Sequence, residues 1–332
     1  MQIDNLQRKS SARPLTFAPA NASDSDEIVI GLVNIMPLSA RRTAEKSFRS
    51  LLGVGTKQRN LRLRCFTLDD RWKLGPARAQ YLIGYEPISA LWGSRLDGLI
   101  VTGAEPRATT IAEEPLLPWI KKLVSWAGQN TSSAIFSCFA AHCAVWCMDG
   151  IIRQRYTEKL SGVFLWTKAF EHPVTEKLPP SWQVPHSRHN TLDTNALEAA
   201  GYTILSKAPR LGVDMFLKKQ GNCEFLFFQG HPEYGPENLL GEYCRDLRRF
   251  MSGSAHQYPN WPKNYLSIES REAFTMLRNH PRGDTTLDEL SDLEISAAKS
   301  LNHSWNDASM KIFDGWLQSM IESKAGYSKL KM

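Results

Sequence analysis

One cysteine stands where a chain turn could make it a nucleophile. The segment Ser132–Ser137 has the short apolar pattern of a buried strand, Cys138 follows it, and small residues then open an apolar helix. In a nucleophile elbow the chain turns sharply between a strand and a helix, whose N-terminus stabilises a thiolate. The glycines that usually flank such a nucleophile are replaced by Phe136 and Ala140, so a buried structural cysteine is the alternative interpretation.

A histidine and a glutamate lie two residues apart after another apolar run. The aromatic segment Glu224–Gln229 is predicted as a strand, and Gly230 then turns the chain into His231 and Glu233. Residues i and i+2 of an extended loop project to the same side, so the carboxylate can orient the imidazole. Together with Cys138, this pattern predicts a nucleophile, a general base and an acid that orients the base.

Strands alternate with helices along the first half of the chain. Short apolar runs predict strands, and apolar residues at helical spacing predict helices between them. The predicted strands are Glu27–Val33, Leu61–Leu68, Asp97–Thr102 and Ser132–Ser137, and the predicted helices are Arg42–Leu52, Pro115–Ala127 and Ala140–Met148. This alternation favours an α/β fold with a mostly parallel twisted sheet flanked by helices.

The second half has shorter strands that follow one another without long helices between them. They are predicted at Gln183–Pro185, Thr203–Leu205, Asp214–Leu217 and Glu224–Gln229. This part should therefore be partly antiparallel. A helix is predicted over Asn238–Met251, a long connection over 252–300, and a final amphipathic helix over 304–323.

Composition excludes several classes of protein. The 332 residues are 42% apolar and carry 40 Lys and Arg against 34 Asp and Glu, which excludes a disordered or low-complexity chain. The net charge of +6 is small and dispersed, so nucleic acid is not an expected partner. We expect three parts along the chain: a flexible N-terminal arm over 1–26, a single domain over 27–323 and a C-terminal tail over 324–332.

Cysteine usage and hydropathy indicate the environment of the protein. The six cysteines are too sparse for a disulfide framework, and their spacing lacks the CxxC pairs of a zinc site, so no metal is expected. The N-terminus has no apolar signal segment, and no run of 18 apolar residues occurs. We therefore expect a soluble, cytoplasmic protein with reduced thiols and no membrane partner.

Motifs along most of the chain resemble the homoserine O-succinyltransferase (MetA-type) family. They are NIMP at 34–37, DGLIVTGA at 97–104, Cys138 behind its strand, TEKLSGV at 157–163, PHSRH at 185–189, GHPEY at 230–234 and EYCRD at 242–246. A last block, at 304–317, resembles the family's final helix. The resemblance spans about residues 28–320 and implies a class I glutamine amidotransferase-like, flavodoxin-like fold.

The resemblance implies a ping-pong acyl transfer. Cys138 would take the acyl group from acetyl-CoA or succinyl-CoA as a thioester, with His231 as general base and Glu233 as its orienting acid. The hydroxyl of the acceptor would then attack the acyl-cysteine, and no bound cofactor takes part. Each tetrahedral oxyanion needs N–H donors. The candidates are the backbone amides of Phe139, Ile35 and Met36.

Three further residues match substrate-binding positions of the family. Lys159 matches a substrate-binding lysine, Ser187 a serine near the acceptor, and Arg245 an arginine that pairs with the carboxylate of the amino acid. A planar guanidinium suits that role because it can bind a carboxylate through two hydrogen bonds. The alternatives are a solvated loop charge for Lys159, a turn hydroxyl for Ser187 and an ion pair with Glu242 or Asp246 for Arg245.

The stretch after TGA departs from the family. The resemblance places Arg107 at a position where Gly accompanies succinyl donors and Glu accompanies acetyl donors. Its guanidinium could pair with the distal carboxylate of a succinyl group, fill the pocket so that only acetyl fits, or point to solvent. His142, one helical turn after Cys138, is interpreted as a buried core histidine.

Several hypotheses about function stay open at this point. Homoserine is the favoured acceptor, and serine or a related hydroxy amino acid is the main competitor because the last block departs from the family at 306–308. A Cys-His-Glu hydrolase of the amidotransferase type is a second hypothesis, which the motifs around Lys159 and Arg245 disfavour. A non-catalytic binding homologue is a third, which the complete set of Cys138, His231 and Glu233 disfavours. The resemblance also implies a homodimer.

Overall fold

The computed structural model describes residues 27–53, 60–68, 80–278 and 284–329. The predicted N-terminal arm, 1–26, lies outside these residues. Within them, twelve strands form two sheets. The strands are β1 Ile28–Val33, β2 Leu61–Thr67, β3 Tyr85–Pro87, β4 Gly98–Val101, β5 Ser133–Ser137, β6 Gln154–Lys168, β7 Ser181–Thr191, β8 Thr203–Ile204, β9 Ser206–Ala208, β10 Gly212–Val213, β11 Met215–Gln220 and β12 Cys223–Phe228.

The larger sheet is mostly parallel, as the sequence predicts. Its strand order is β3-β2-β1-β4-β5-β12-β11-β8, and the six strands from β3 to β12 run parallel. At the other edge β11 runs antiparallel to β12, and β8 runs antiparallel to β11, which confirms the prediction of a partly antiparallel second half. The central strands β4 and β5 are buried along their whole length, because helices cover both faces of the sheet.

Nine α-helices lie within the described residues. They are α1 Leu38–Leu52, α2 Ser89–Trp92, α3 Leu117–Asn130, α4 Phe139–Asp149, α5 Thr194–Ala199, α6 Asn238–Met251, α7 Ile268–Leu277, α8 Asp284–Ala297 and α9 Asn306–Lys329. Helices α3 and α4 pack on one face of the large sheet, and α1 and α9 pack on the other. A third apolar cluster joins α6, α7 and α8.

The smaller sheet is antiparallel, with strand order β10-β9-β6-β7. The backbone of Lys263 crosses β6 at Gly162: Val163 N–H donates to the Lys263 carbonyl, and Lys263 N–H donates to the Ser161 carbonyl, both at 2.9 Å. Gly162 has φ +138°, and a Cβ there would overlap the Lys263 backbone. This contact attaches the segment before α7 to the strand that carries Lys159.

The prediction of a long connection over 252–300 is wrong, because α7 and α8 lie within it. Few of the side chains described on these helices are buried, among them Phe274, Leu277 and Leu290, so their apolar stripe is narrow. The long strand β6 was missed because its first half is polar and exposed. The last helix continues through Lys329, so residues 324–329 of the predicted tail are helical.

Candidate active site

A strained turn presents Cys138 at the junction of β5 and α4. Its backbone has φ 49° and ψ −111°, a conformation that residues with a Cβ rarely adopt. Its N–H donates to the Phe228 carbonyl at 2.6 Å, which ties the turn to β12. Cys138 is half-buried and precedes the first turn of α4, where free backbone N–H groups favour a negative charge. The backbone therefore has the form of a nucleophile elbow.

The loop after β12 brings His231 and Glu233 to the same edge of the sheet. β12 and β5 are neighbours, with Phe228 opposite Ser137, so both loops leave the sheet together. His231 Nδ1 lies 2.9 Å from Glu233 Oε1, and Ser137 Oγ donates to the same oxygen at 3.2 Å. Because an ionised carboxylate only accepts, the proton lies on Nδ1, and Nε2 is left for the Cys138 sulfur.

The charge state of His231 is coupled to its neighbours. Burial alone would lower the pKa of this imidazole, but the Cys138 sulfur and the Glu233 carboxylate outweigh burial and raise the pKa well above its usual value. An imidazolium beside a sulfur atom stabilises a thiolate. The geometry thus provides a nucleophile, a base and an orienting carboxylate in contact with one another.

Three further contacts hold His231 and its loop in place. Its backbone N–H donates to the Pro185 carbonyl at 2.8 Å. Its ring stacks on Tyr234 with centroids 4.1 Å apart. The Tyr234 carbonyl in turn accepts a hydrogen bond from Trp305 Nε1 at 2.7 Å, so the start of α9 supports this loop.

The backbone around Cys138 offers donors for an oxyanion. Phe139 is the first residue of α4, so its N–H has no acceptor within the helix. The amides of Ile35 and Met36 instead donate within the protein, to Thr102 Oγ1 at 2.9 Å and to Asn34 Oδ1 at 3.2 Å. An amide that already has an acceptor is a poor oxyanion donor, so this arrangement disfavours Ile35 and Met36.

Gly103 is a donor candidate that the sequence reasoning missed. It follows β4, and β4 pairs with β5 directly before Cys138. A Cβ on Gly103 would lie 3.4 Å from Cys138 Cβ and 3.7 Å from His231 Cε1, so its bare backbone passes close to both side chains. The signal was present in the sequence as a glycine directly after a buried strand.

Charged side chains on β6 and α6, with a serine on β7, form an ionic cluster beside these residues. Its members are Lys159, Ser187, Glu242, Arg245 and Asp246. Lys159 Nζ lies 2.8 Å from Asp246 Oδ2 and 3.8 Å from Glu242 Oε2, and Ser187 Oγ donates to Glu242 Oε2. The structure therefore brings together the three predicted substrate residues, which are up to 86 positions apart in the sequence.

Glu242 is the second residue that the sequence reasoning missed as a functional candidate. Tyr234 Oη donates to Glu242 Oε1 at 2.5 Å, and the Tyr234 ring stacks on His231. Glu242 therefore connects the ionic cluster to the general base. Its neighbour Arg245 is 44% exposed and donates through two nitrogens to Asp246 Oδ1, at 3.1 and 3.2 Å. This is one of the two ion pairs considered as the alternative for Arg245.

Comparison with known proteins identifies the family. A family model described as homoserine O-succinyltransferase matches residues 4–327. The chain belongs to the homoserine O-succinyltransferase family. It is 42% identical to a homoserine O-succinyltransferase of Rhodopseudomonas palustris, over 79% of this chain and 78% of that one. It is 37% identical to one of Bradyrhizobium japonicum, over 93% of this chain and 95% of the relative.

Among solved structures, the chain is similar to a glutamine amidotransferase of Thermotoga maritima. The superposition has a TM-score of 0.49 at 11% identity and covers 89% of this chain and 99% of that one.

The loop that carries Arg107 contacts α6 through Glu105. Arg107 is exposed, and its backbone N–H donates to Glu114 Oε2 at 3.0 Å. Two residues earlier, Glu105 reaches α6 and accepts from both terminal nitrogens of Arg249, at 2.8 and 3.0 Å. Arg249 Nη1 also lies 3.6 Å from Asp246 Oδ1, so the ion pair between Glu105 and Arg249 adjoins the ionic cluster.

His142 is a buried core histidine, as predicted. Its Nε2 lies 2.9 Å from Gln229 Oε1, and burial lowers the pKa of the ring to about 3. Within the part of the chain that the structure describes, no group of three His, Cys, Asp or Glu side chains could hold a metal ion. None of the helices in that part combines the length and apolar character needed to cross a membrane.

Proposed function

We propose that this family member is an acyl-CoA-dependent homoserine O-acyltransferase that works through a thioester on Cys138. The observation that carries the proposal is the contact between two sites: a Cys-His-Glu arrangement and an ionic cluster, joined through Tyr234. A hydrolase needs only the first site. A transferase also needs a place for an acceptor that carries both charges of an amino acid.

In the first half-reaction, His231 Nε2 takes the proton of Cys138, and the thiolate attacks the thioester carbonyl of acyl-CoA. The Phe139 amide, together with the backbone at Gly103, stabilises the oxyanion. The carbon–sulfur bond to coenzyme A then breaks, and the imidazolium protonates the departing thiolate. Glu233 keeps its hydrogen bond to Nδ1 throughout and offsets the positive charge.

In the second half-reaction, the ionic cluster binds the acceptor. The ammonium group of homoserine fits the carboxylates of Glu242 and Asp246, and its carboxylate fits Arg245 and Lys159. The γ-hydroxyl then reaches the acyl-cysteine, His231 takes its proton, and the alkoxide displaces Cys138. The charges of the cluster are paired with one another in the free protein, and a zwitterion supplies both signs needed to replace those pairs, which supports a zwitterionic substrate.

Intact-mass measurement tests the thioester. The protein is incubated with acetyl-CoA or succinyl-CoA in the absence of acceptor, with Cys138→Ala as the matched control. We expect a mass gain of one acyl group that is absent in the control and is released on addition of homoserine. No gain with either donor would contradict the proposal.

A panel of acceptors then tests the substrate. Homoserine, serine and threonine are added to the acyl-enzyme, and glutamine hydrolysis is measured in parallel. We expect homoserine to discharge the acyl-enzyme fastest. Discharge by serine alone would move the assignment to a serine acyltransferase, and ammonia release from glutamine without acyl transfer would indicate a hydrolase.

A further inference from the structure

Three ionisable side chains without an assigned role are buried beneath the loop that carries His231. Arg188 and His186 lie on β7, and Asp214 lies between β10 and β11; they are 4%, 0% and 2% exposed. Burying ionisable groups destabilises a protein unless each of them is partnered. Because these three side chains lie next to the loop that carries His231, their contacts bear on how that loop is held in place.

The hydrogen bonds fix where the protons lie. Arg188 Nε donates to His186 Nδ1 at 3.1 Å, and an arginine has no acceptor, so the proton of His186 is on Nε2. Burial and the positive charges of Arg188 and His231 lower the pKa of His186 well below its usual value, so the ring is neutral. The protonated Nε2 faces Asp214 Oδ1 at 3.5 Å.

The same carboxylate holds the residue that precedes His231. Gly230 N–H donates to Asp214 Oδ1 at 2.8 Å, and Gln229 N–H donates to the Asp214 carbonyl at 2.9 Å. A Cβ on Gly230 would lie 2.7 Å from His186 Nε2 and 2.8 Å from Asp214 Oδ1. The turn into His231 therefore rests directly on the buried pair.

Asp214 also faces His231 electrostatically. Burial raises the pKa of Asp214 to about 6, against the Gly230 hydrogen bond and the charges of Arg188 and His231, which lower it. The groups around it are His186 and Arg188 on β7, the Ser206 hydroxyl on β9, and His231 with its own partners Cys138 and Glu233 on the other side. At neutral pH the imidazolium thus has two carboxylates, one in contact and one beneath the loop.

Resting on the proposed function, in which His231 is the base, we propose that Asp214 is a positioning residue for His231. It accepts the hydrogen bond of the Gly230 amide and places a second negative charge behind the imidazolium, while the Ser206 hydroxyl donates to its carboxylate and the nearby charge of Arg188 favours the ionised form. Asp214 touches neither substrate nor the reacting sulfur.

The decisive measurement is an NMR titration of His231 in protein with ¹³C-labelled histidine. The chain has eight histidines, and His231→Gln assigns the signal. Asp214→Asn keeps an oxygen for the Gly230 amide but removes the charge, which should lower the midpoint of His231 by at least about half a pH unit. The kcat for acyl transfer should fall by about tenfold with little change in KM, because His231 becomes a weaker base and the imidazolium formed during proton transfer is less stabilised.

Asp97→Asn is the matched control. Asp97 Oδ2 also accepts a backbone hydrogen bond, from Val29 at 2.8 Å, but Asp97 precedes β4 and so lies at the opposite end of the parallel strands from Cys138, which follows β5. This variant should leave the His231 midpoint unchanged. An unchanged midpoint in folded Asp214→Asn would overturn the proposal, since a merely structural carboxylate alters stability and not the titration of His231.

A milder variant keeps the test decisive if Asp214→Asn does not fold. Ser206→Ala removes one hydrogen bond to the Asp214 carboxylate and leaves every charge in place. It should lower the His231 midpoint in the same direction by a smaller amount, and no shift in this variant would count against the proposal. The titration needs no acyl donor, so its outcome is separate from the mass measurement that tests the proposed function.

Discussion

The region of Cys138, His231 and Glu233 and the ionic cluster meet at Tyr234, but different forces hold the two regions in place. Cys138 and His231 are placed by backbone: a strained turn after β5 and a loop after the neighbouring strand β12. Lys159 and Arg245 are placed by ion pairs between partly exposed side chains. The turns that carry Cys138 and His231 should therefore be rigid, and their strain should lower the stability of the fold. The ionic cluster should exchange its ion pairs when an amino acid binds.

The largest effect is expected at the strained turn. Cys138→Gly and Cys138→Ala should both abolish acyl-enzyme formation and reduce turnover by about 10⁴-fold or more. Glycine tolerates the positive φ of position 138, so the Gly variant should be more stable than the Ala variant by roughly 1 kcal/mol. Calorimetry of the two variants measures this difference, and equal stability would mean that the turn stores no strain.

Substitution in the ionic cluster should affect only the second half-reaction. Arg245→Ala should raise the KM for homoserine by about tenfold to a hundredfold through loss of a charged hydrogen bond. The rate of acyl-enzyme formation should stay within about twofold of wild type, because acylation precedes acceptor binding. Stopped-flow assays of the separate half-reactions make this comparison.

Arg248→Ala is the control for that experiment. Arg248 lies on the same helix but pairs with Glu294 on α8, outside the ionic cluster. Its KM for homoserine should match that of wild type. Slowed acylation in Arg245→Ala would show that the two regions are not separable in the way proposed.

The buried carboxylate beneath His231 should make stability depend on pH. The pKa of Asp214 is raised by burial to about 6 in the folded protein, above its ordinary value near 3.8. Its contribution is therefore fully present below about pH 4 and is lost as pH rises through 6. Asp214→Asn should increase Tm by on the order of 2–4 °C at pH 8 and by little at pH 4. Differential scanning calorimetry at both values checks this, and a constant difference would contradict it.

The smallest effect is expected at Arg107. Replacement by Gly should change the preference between succinyl-CoA and acetyl-CoA by about threefold to tenfold, because only one exposed charge is removed. Competition between the two donors, read by intact mass, measures the preference. An unchanged preference between the two donors would mean that the Arg107 guanidinium points into solvent and does not contact the acyl group.

The sequence was enough to predict the region around Cys138 and His231, whose side chains are placed by backbone turns. Strand patterns and the turn at Cys138 are local signals, so the parallel sheet and the elbow follow from short segments. The ionic cluster was only partly foreseen, because Lys159 and Asp246 are 87 residues apart and their pairing depends on how β6 meets α6. Gly103 and Glu242 were missed for the same reason: each acts through a neighbour on another element.

The crossing of β6 by the Lys263 backbone has a consequence for how relatives of this chain can vary. Only main-chain atoms of Lys263 take part, so position 263 can be occupied by different residue types. Any side chain at Gly162, by contrast, would displace the crossing segment. Natural variation should thus be asymmetric across this contact, with position 162 restricted to glycine and position 263 open. The length of chain between α6 and the crossing should vary less than its composition.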